Sequence, residues 1–511
     1  MRAAWRVADV RAAEAALMSG LPEGALMQRA AAGLARRCAA LLVDRFSQVY
    51  GRHVLLLVGS GNNGGDALYA GAALAGRGAR VEALLLDPER THAAGAEALR
   101  AAGGGFLDKL PSTVDLVVDG ILGIGGRGGL RDAAATVVAD ISRVLAPDGV
   151  PPAVVAVDLP SGVDADTGAV HGTAVRADVT VTFGALKPGL LVGDGAVHSG
   201  LVEFVDIGLS PWLRGDPALY VPEMPDIAAW WPSPRAGDDK YTRGVVGVAT
   251  GSAGYPGAAM LSVGGALAGP AGMVRYAGAA AEAVRMRYPT VIAAERVVDT
   301  GRVQAWTCGS GLGTDERAAG EVRGVLAAPV PVCLDADALN LLSAGAALAA
   351  GGSSGAGAAT GRVAGGAAGR APAAELLGDR GAPTVITPHD REFERLAGAP
   401  PGDDRVGAAL DLAARMHAVV LLKGNRTVIG TPDGRAFVNP TGTPPLATGG
   451  TGDVLAGLLG SLLAGGVPAD QAAMCAAYVH GLAGGLAARS GPVTAADVAA
   501  ELRAAVRLIQ A

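Results

Sequence analysis

The chain has 511 residues, more than one compact core usually fills, and half of them are apolar while 18% are charged, so two folded domains are expected and bulk disorder is excluded. A formal net charge of -6 offers no basic surface for nucleic acid or an anionic membrane and points instead to small-molecule partners. Cys38, Cys308, Cys333 and Cys475 lie far apart with no CxxC pair, which excludes a disulfide framework or a zinc site and fits a reducing cytoplasm.

The opening segment MRAAWRVADVRAAEAALMSG is broken by Asp9, Arg11 and Glu14 and has no sustained apolar run, so export is not expected. Glycine, 78 residues of it, and abundant alanine weaken helical periodicity as a signal. Short aliphatic runs still stand out between helix-like stretches: HVLLLVG from His53, RVEALLL from Arg80, VDLVVDG from Val114 and AVVAVDLP from Ala153. That alternation predicts an α/β domain with a parallel sheet wrapped by helices.

The first of these runs passes directly into GSGNNGGDA and then into the apolar pattern LYAGAALAG. A strand, a glycine turn and a helix start put backbone N–H groups where a phosphate or pyrophosphate is stabilised, which suits a dinucleotide. A glycine turn alone is also an ordinary tight connection. Asn62, Asn63 and Asp66 favour the ligand, since amides and a carboxylate at a strand end are poor packing residues. A second strand end carries VVDGILGIGGRGGLR, with Asp119 ahead of a turn spanning 123–129, and a third carries AVDLPSGVDADTG, with Asp158 and Ser161. In an open parallel sheet such ends line one crevice, so these polar residues are expected to converge.

The sequence GNNGGD, VVDGILGIG and AVDLPSGVDADTG resembles the signatures of the NAD(P)H-hydrate epimerase family, over most of the first 215 residues. The resemblance implies a Rossmann-like fold that interconverts the R and S forms of hydrated NADH or NADPH. It implies that Asn62, Asn63, Gly64, Gly65 and Asp66, with Gly123, Ile124, Gly125, Gly126, Arg127, Gly128 and Gly129, hold the nucleotide portion of the hydrate. Asp158 would contact the hydrate near the reacting ring and is the first candidate for the acid-base group, because a partly dry crevice moves a carboxylate pKa towards neutrality. Asn63, Asp119 and Ser161 would surround a potassium ion, for which weakly charged oxygen ligands are suited. Ala67 departs from the family's further glycine. Lys187 in TFGALKPG matches the family pattern, although a strand-end lysine is often only a surface charge.

Beyond residue 205 the text turns to proline and tryptophan, and residues 216–237 read as a linker between a first domain, 1–215, and a second, 238–511. The second opens with a strand, a glycine-rich turn and a helix in GVVGVATGSAGYPGAAML, and continues through CGSGLGTD, VCLDADALNLL, TPHDREF and LLKGNRT. The stretch 345–374 is low-complexity and reads as a mobile surface insertion, because its small side chains bury too little to offset ordering entropy. NPTGTPPLATGGTGDVLAG ends the series. Its GGTGD makes an anion nest at the start of a buried helix with Asp453 at the rim, as phosphoryl transfer requires. The apolar run 454–467 is too short for a membrane span, which needs roughly 18 residues.

GSAGYPGAA, TPHDREF, LLKGNRT, NPTG and GGTGD resemble the NAD(P)H-hydrate dehydratase branch of the ribokinase-like superfamily, from about Asp238 to the C-terminus. That resemblance implies a ribokinase-like α/β domain in which a nucleotide, ADP in bacterial members, phosphorylates the C6 hydroxyl of the S hydrate. Phosphate then leaves and the dihydropyridine is restored. Ala259, Gly311, His389 and Asp453 would contact the hydrate, with Asp453 as base, while Lys423, Gly424, Asn425, Arg426, Thr427 and Gly452 would contact the nucleotide. His389 also reads as a helix cap, with Pro388 and Glu392 in the first turn. Ser310, Asp390 and Arg391 depart from the family pattern. Phosphoryl transfer implies Mg2+. The expected partners are hydrated NADH or NADPH and ADP, without nucleic acid or membrane, and with self-association left open. The alternative is a small-molecule kinase fused to a non-catalytic dinucleotide-binding module.

Overall fold

The computed structural model describes residues 1–126, 128–130, 132–141, 144, 149–345, 348 and 372–511. The chain divides into two compact units, Ala3–Leu219 and Tyr220–Ala511, with Met1 and Arg2 belonging to the latter.

Among the described residues, seven parallel strands make the sheet of the first unit: β1 His53–Val58, β2 Arg80–Leu85, β3 Gly105–Leu107, β4 Leu116–Gly120, β5 Ala153–Val157, β6 Val179–Phe183 and β7 Leu201–Val205. Their order is β3-β2-β1-β4-β5-β6-β7. The aliphatic runs become strands because both faces of a central parallel strand are covered, and from Val54 to Val58 every residue of β1 is buried. Helices α1 Val7–Met18 and α2 Ala25–Phe46 precede β1 and α3 Asn62–Ala75 follows it; α2 packs against α3, and Leu34, Leu42, Leu68 and Leu74 join Leu56 and Leu116 of the sheet in one core. From β1 the chain winds outward through β2 and β3, then returns to β4 on the other side. The crevice outside the carboxyl ends of β1 and β4 is therefore the switch point of the sheet, where ligands of open α/β sheets bind. GNNGGD follows β1 there, and Asp119 ends β4.

The second unit is built on β8 Leu219–Val221, β9 Val245–Ala249, β10 Met273–Ala277, β11 Ile292–Ala294, β12 Ala305–Cys308, β13 Val332–Leu334, β14 Thr384–Ile386, β15 Val419–Leu422, β16 Val428–Gly430 and β17 Ala436–Val438. They stand in the order β8-β17-β16-β15-β14-β13-β12-β9-β10-β11. Neighbours from β11 to β15 are parallel, while β16 is antiparallel to both β15 and β17. Its helices include α4 Met224–Trp230, α5 Pro256–Ala268, α6 Asp390–Ala397, α7 Thr451–Ala464, α8 Ala469–Ala487 and α9 Ala495–Gln510. The run read as a buried helix is α7, with Val454 to Ala464 buried throughout. It crosses α5 so closely that a Cβ on Gly457 would lie 1.9 Å from the Ser262 carbonyl oxygen, and one on Gly265 2.1 Å from that of Val454. Glycine is needed at both for the backbones to meet.

Residues 216–237, read from the sequence as a linker, contain β8 and α4, and Ile227 and Trp231 are buried in the core of the second unit. The chain passes from one unit to the other at Leu219–Tyr220. The insertion 345–374 lies outside the described residues except for 345, 348 and 372–374, of which Leu348, Ala373 and Ala374 are buried. The four cysteines are all buried and unbridged. Among the described residues no helix is long and apolar enough to cross a membrane.

Candidate active sites

A cavity of about 830 Å³ opens at the switch point of the first unit, lined by Asn62, Asn63, Asp66 and Tyr69 of α3, Glu14 of α1, His92 and Asp158. Asp158 follows β5 in a left-handed backbone conformation, φ 65°, which strains a residue with a Cβ by about 1 kcal/mol or more. Its backbone N–H donates to Val181 O at 2.8 Å, and its Oδ1 accepts from Lys187 Nζ at 2.5 Å and from Thr182 Oγ1 and Phe183 N at 3.1 Å each. Lys187 is only 1% exposed and also donates to Thr182 Oγ1 at 3.0 Å. The surface-charge reading of Lys187 is thereby excluded: it is a buried countercharge aimed at the candidate catalytic carboxylate. Burial raises the Glu14 carboxyl pKa, Lys187 opposing and Asp158 adding to the rise. Asp66 is pushed well above the usual carboxylate range by burial and by the charges of Asp158 and Glu14.

Asn63, Asp119 and Ser161 meet beside this cavity. Asp119, at 0% exposure, accepts from Ser161 Oγ at 2.6 Å and Ile121 N at 3.2 Å through Oδ1, and from Ser161 N at 2.8 Å through Oδ2. The Asn63 amide donates to Val157 O at 2.5 Å and Leu122 O at 3.3 Å, and Ser161 Oγ reaches the same Leu122 oxygen at 3.2 Å. Burial, opposed by the Ser161 and Ile121 bonds, lifts the Asp119 carboxyl to about 6. No charged side chain among the described residues pairs with it. An amide, a hydroxyl and one uncompensated carboxylate suit a large monovalent cation better than a divalent transition metal.

Of the glycine turn after β4, Ile124 lines the large cavity, whereas Gly123, Gly126, Gly128 and Gly129 border a narrow crevice against Pro160 and Asp164. A Cβ on Gly123 would fall 2.3 Å from Asn63 Oδ1, so this glycine lets Asn63 reach its place. Arg127 lies outside the described residues. Ala67 is fully buried against Gly120, whose missing side chain leaves room for the methyl.

In the second unit a cavity of about 780 Å³ faces the N-terminus of α7 and is lined by Gly450, Gly452, Asp453, Lys423, Asp335 and His480, among others. Gly450 precedes α7 with φ 90°, and Gly450 to Asp453 line the cavity, so the N-terminal end of the helix, positive in its dipole, borders it. Asp335, nearly fully buried, accepts from Lys423 Nζ at 2.7 Å, Thr387 Oγ1 at 2.8 Å and Ser310 Oγ at 3.1 Å. Lys423 Nζ is also 3.6 Å from Glu392. Burial acts to lower the Lys423 pKa, but Asp335, Glu392 and Asp453 outweigh it and hold the ammonium charged. Burial first, and then repulsion from Asp335, push Asp453 up to about 7, against the Ser310 hydroxyl and Lys423. A carboxylate with that pKa beside a cation and a helix N-terminus has the properties of a general base for phosphoryl transfer.

The cavity gathers Lys423, Gly424, Asn425, Thr427, His389, Gly452 and Asp453 from the sequence-derived set. Arg426 turns aside to donate to Pro440 O. Ala259 is fully buried against Gly251, and Gly311, φ 61°, packs on Ala258 and Tyr255; neither of these two expected hydrate contacts lines the cavity. His389 caps α6 through Nδ1, which accepts from Arg391 N at 3.1 Å and Glu392 N at 3.3 Å, and it lines the cavity as well. Its cap and ligand readings are therefore compatible. Sequence reasoning passed over Glu14, Asp335, Glu392 and His480. Only Asp335, a carboxylate closing the aliphatic run VCLD, carries a local signal of the kind used for Asp119.

Two α/β units, each with a glycine-turn cavity and an acid of raised pKa at the ends of parallel strands, define a two-site enzyme for nucleotide-sized ligands. Residues 23–189 match the family described as YjeF-related protein N-terminus, and residues 246–352 and 364–504 match NAD(P)H-hydrate dehydratase. The chain is 47% identical over 493 residues to the bifunctional NAD(P)H-hydrate repair enzyme Nnr of Mycobacterium leprae, covering 96% of each chain. It is also 47% identical over 473 residues to that of Mycobacterium tuberculosis, covering 93% of this chain and 91% of the relative. The second unit is similar to the ADP/ATP-dependent NAD(P)H-hydrate dehydratase from Bacillus subtilis co-crystallized with ATP/Mg2+, at TM-score 0.46 and 27% identity over 56% of this chain and 97% of that one. The chain belongs to the bifunctional NAD(P)H-hydrate repair enzymes.

Proposed function

We propose that the first cavity interconverts the R and S hydrates of NADH and NADPH, with Asp158 in acid-base contact with the reacting ring and Asn62, Asn63 and Asp66 among the residues that hold the hydrate. The second cavity then removes water from the S hydrate at a nucleotide's expense. Asp453 takes the C6 hydroxyl proton while Lys423, the 424–427 turn and the N–H groups at Gly452 hold the phosphates. The observation that carries this reading is Asp453, pushed up to about 7 at the rim of the GGTGD turn and facing the same cavity as Lys423. ADP is the proposed donor, and Mg2+ would neutralise its phosphate charge.

Incubation with hydrated NADH and either ADP or ATP tests this directly. Recovery of reduced-nicotinamide absorbance with release of inorganic phosphate is expected, faster with ADP. Accumulation of a phosphorylated substrate would establish the kinase alternative instead.

Asn63, Asp119 and Ser161 are the proposed potassium ligands. Potassium bound there would supply the countercharge that Asp119 lacks and fix the strand ends around the hydrate. Asp119→Ala is expected to lower epimerisation and its response to added potassium while dehydration stays within about twofold of the parent, since Asp119 lies in the first compact unit and the dehydratase cavity in the second. An unchanged potassium response would overturn the assignment.

A further inference from the structure

Epimerisation at C6 must deliver and collect protons on both faces of one ring carbon, and a single carboxylate serves one face at a time. Asp66 is a second acid in the same cavity. It lies one turn into α3, is 6% exposed and lines the cavity, and among the described residues its Oδ1 has no hydrogen-bond partner. A buried polar atom left unpaired is costly unless a ligand satisfies it. Asp158 is as deeply buried and lines the same cavity, but three protein donors, one of them the Lys187 ammonium, engage its Oδ1. The two residues follow β1 and β5, which are separated in the sheet by β4 alone. Asp66, from the first turns of α3, and Asp158, from the loop after β5, line one cavity and lie close enough for the Asp158 charge to act on the Asp66 carboxyl.

We propose that Asp66 is the proton donor of epimerisation, working across the ring from Asp158. This rests on the epimerase reading above and gives Asp66 a role at the reacting ring beyond holding the nucleotide portion. From the R hydrate, the Asp66 carboxylic acid protonates the C6 hydroxyl. The C6–O bond breaks, its electron pair leaving with water, while the N1 lone pair forms the C6=N1 bond of an iminium cation. A water molecule adds to C6 from the other face, the C6=N1 pair returns to N1, and the proton released goes to Asp158. One water leaves, one enters, and one proton moves from Asp66 to Asp158; exchange with solvent or turnover of the S hydrate in reverse restores the start.

The charged groups facing Asp66 support a protonated resting state. Glu14 comes from α1, with Arg11 further along the same helix, Glu23 from the loop before α2, and Asp158 from the sheet with its charge offset by Lys187; Tyr69 and His92 complete the wall. Burial and the negative charges of Asp158 and Glu14 favour the protonated form of Asp66, and the buried Lys187 ammonium is committed to Asp158. A proton donor is active in its acid form, so activity is lost as pH rises through its pKa.

The test uses the full chain and the R hydrate of NADH without nucleotide, so that dehydration is idle, with chromatographic separation of the epimers. Wild type is expected to lose epimerisation on the alkaline side. Asp66→Asn should lose about 100-fold or more in kcat with KM within a few fold, and Asp66→Glu should keep activity with its alkaline limb displaced. Infrared difference spectra between wild type and Asp66→Asn should show a carboxylic-acid C=O band at neutral pH. The proposal is overturned by an Asp66→Asn kcat within tenfold of wild type, by an effect confined to KM, by an alkaline limb that Asp66→Glu does not move, or by absence of that band. Failure of the wild type itself to convert the R hydrate would instead overturn the epimerase reading.

Discussion

Lys187 sets the residue-scale problem, because a fully buried ammonium is tolerated only when paired, and its partner is the carboxylate on which the epimerase reading depends. Removing one member leaves the other charge buried and uncompensated. Lys187→Met should therefore destabilise the first unit by about 3–5 kcal/mol in urea titration and abolish epimerisation, with dehydration retained. Adding Asp158→Asn should restore much of the stability and none of the activity; a double variant no more stable than Lys187→Met would show that the pair does not carry the effect. Asp453 poses the converse case. Its folded pKa, about 7, lies above the ordinary carboxylate value, so its contribution to stability is present below that ordinary value and is lost as pH rises towards 7. As a base it must be ionised, and kcat/KM for dehydration should fall below about pH 7. Asp453→Asn should lose about 100- to 10,000-fold in turnover yet melt no lower than wild type at pH 8. A less stable Asn variant at that pH would contradict the raised pKa.

At the scale of elements, the turn into α7 separates what glycine does for the fold from what it does for the ligand. Gly450 has φ 90°, and a Cβ there would lie 2.5 Å from Leu261 Cδ1. Gly452 stands inside the first turn, where a Cβ would meet nothing nearer than Lys423 Nζ at 3.6 Å. Gly450→Ala should therefore lower stability by about 1 kcal/mol or more, whereas Gly452→Ala should hold or raise it, alanine being the better helix former by about 1 kcal/mol. The Gly452 methyl would nevertheless stand where phosphate oxygens approach, so the KM for ADP should rise by about tenfold or more. A nucleotide KM unchanged in Gly452→Ala would remove the phosphates from this turn. Elements of this kind were legible in the sequence: HVLLLV, LVVDG and AVVAV are strands β1, β4 and β5, because runs buried on both faces need no periodicity to be read. The polar residues closing those strands were legible for the same reason, as turns after known strands. Glu14, Lys187 and His480 were not, since each gains meaning from groups brought to it by the fold. Lys187 acts on a residue 29 positions away, and Glu14 on one cavity shared with Asp66 and Asp158. Nor could residues 216–237 be told from a linker, because Ile227 and Trp231 are isolated among prolines and find a core only in three dimensions.

On the scale of the whole molecule, two sites act on one damaged compound but differ in stereochemical demand. Phosphoryl transfer needs the C6 hydroxyl in line with the donor phosphate and within reach of Asp453, and that geometry accepts one epimer, the S form in the proposed scheme. The R form must first be converted at the other site. The full chain carrying Asp158→Asn, given a mixture of both hydrates and ADP, should consume the S fraction rapidly and then slow to the spontaneous epimerisation rate. The full chain carrying Asp453→Asn should equilibrate the epimers and restore no NADH. Mixing the two variants should recover complete repair, because the intermediate is a stable small molecule that diffuses between proteins. The final rate should rise in proportion to the Asp453→Asn chain until the Asp158→Asn chain becomes limiting. Each variant keeps the other domain's cavity unaltered, so a failure to complement could not be charged to lost folding if both single activities persist. Rapid loss of both epimers with the Asp158→Asn chain alone would contradict the division of labour, and absence of complementation between two active variants would show that the hydrate must be handed over within one chain.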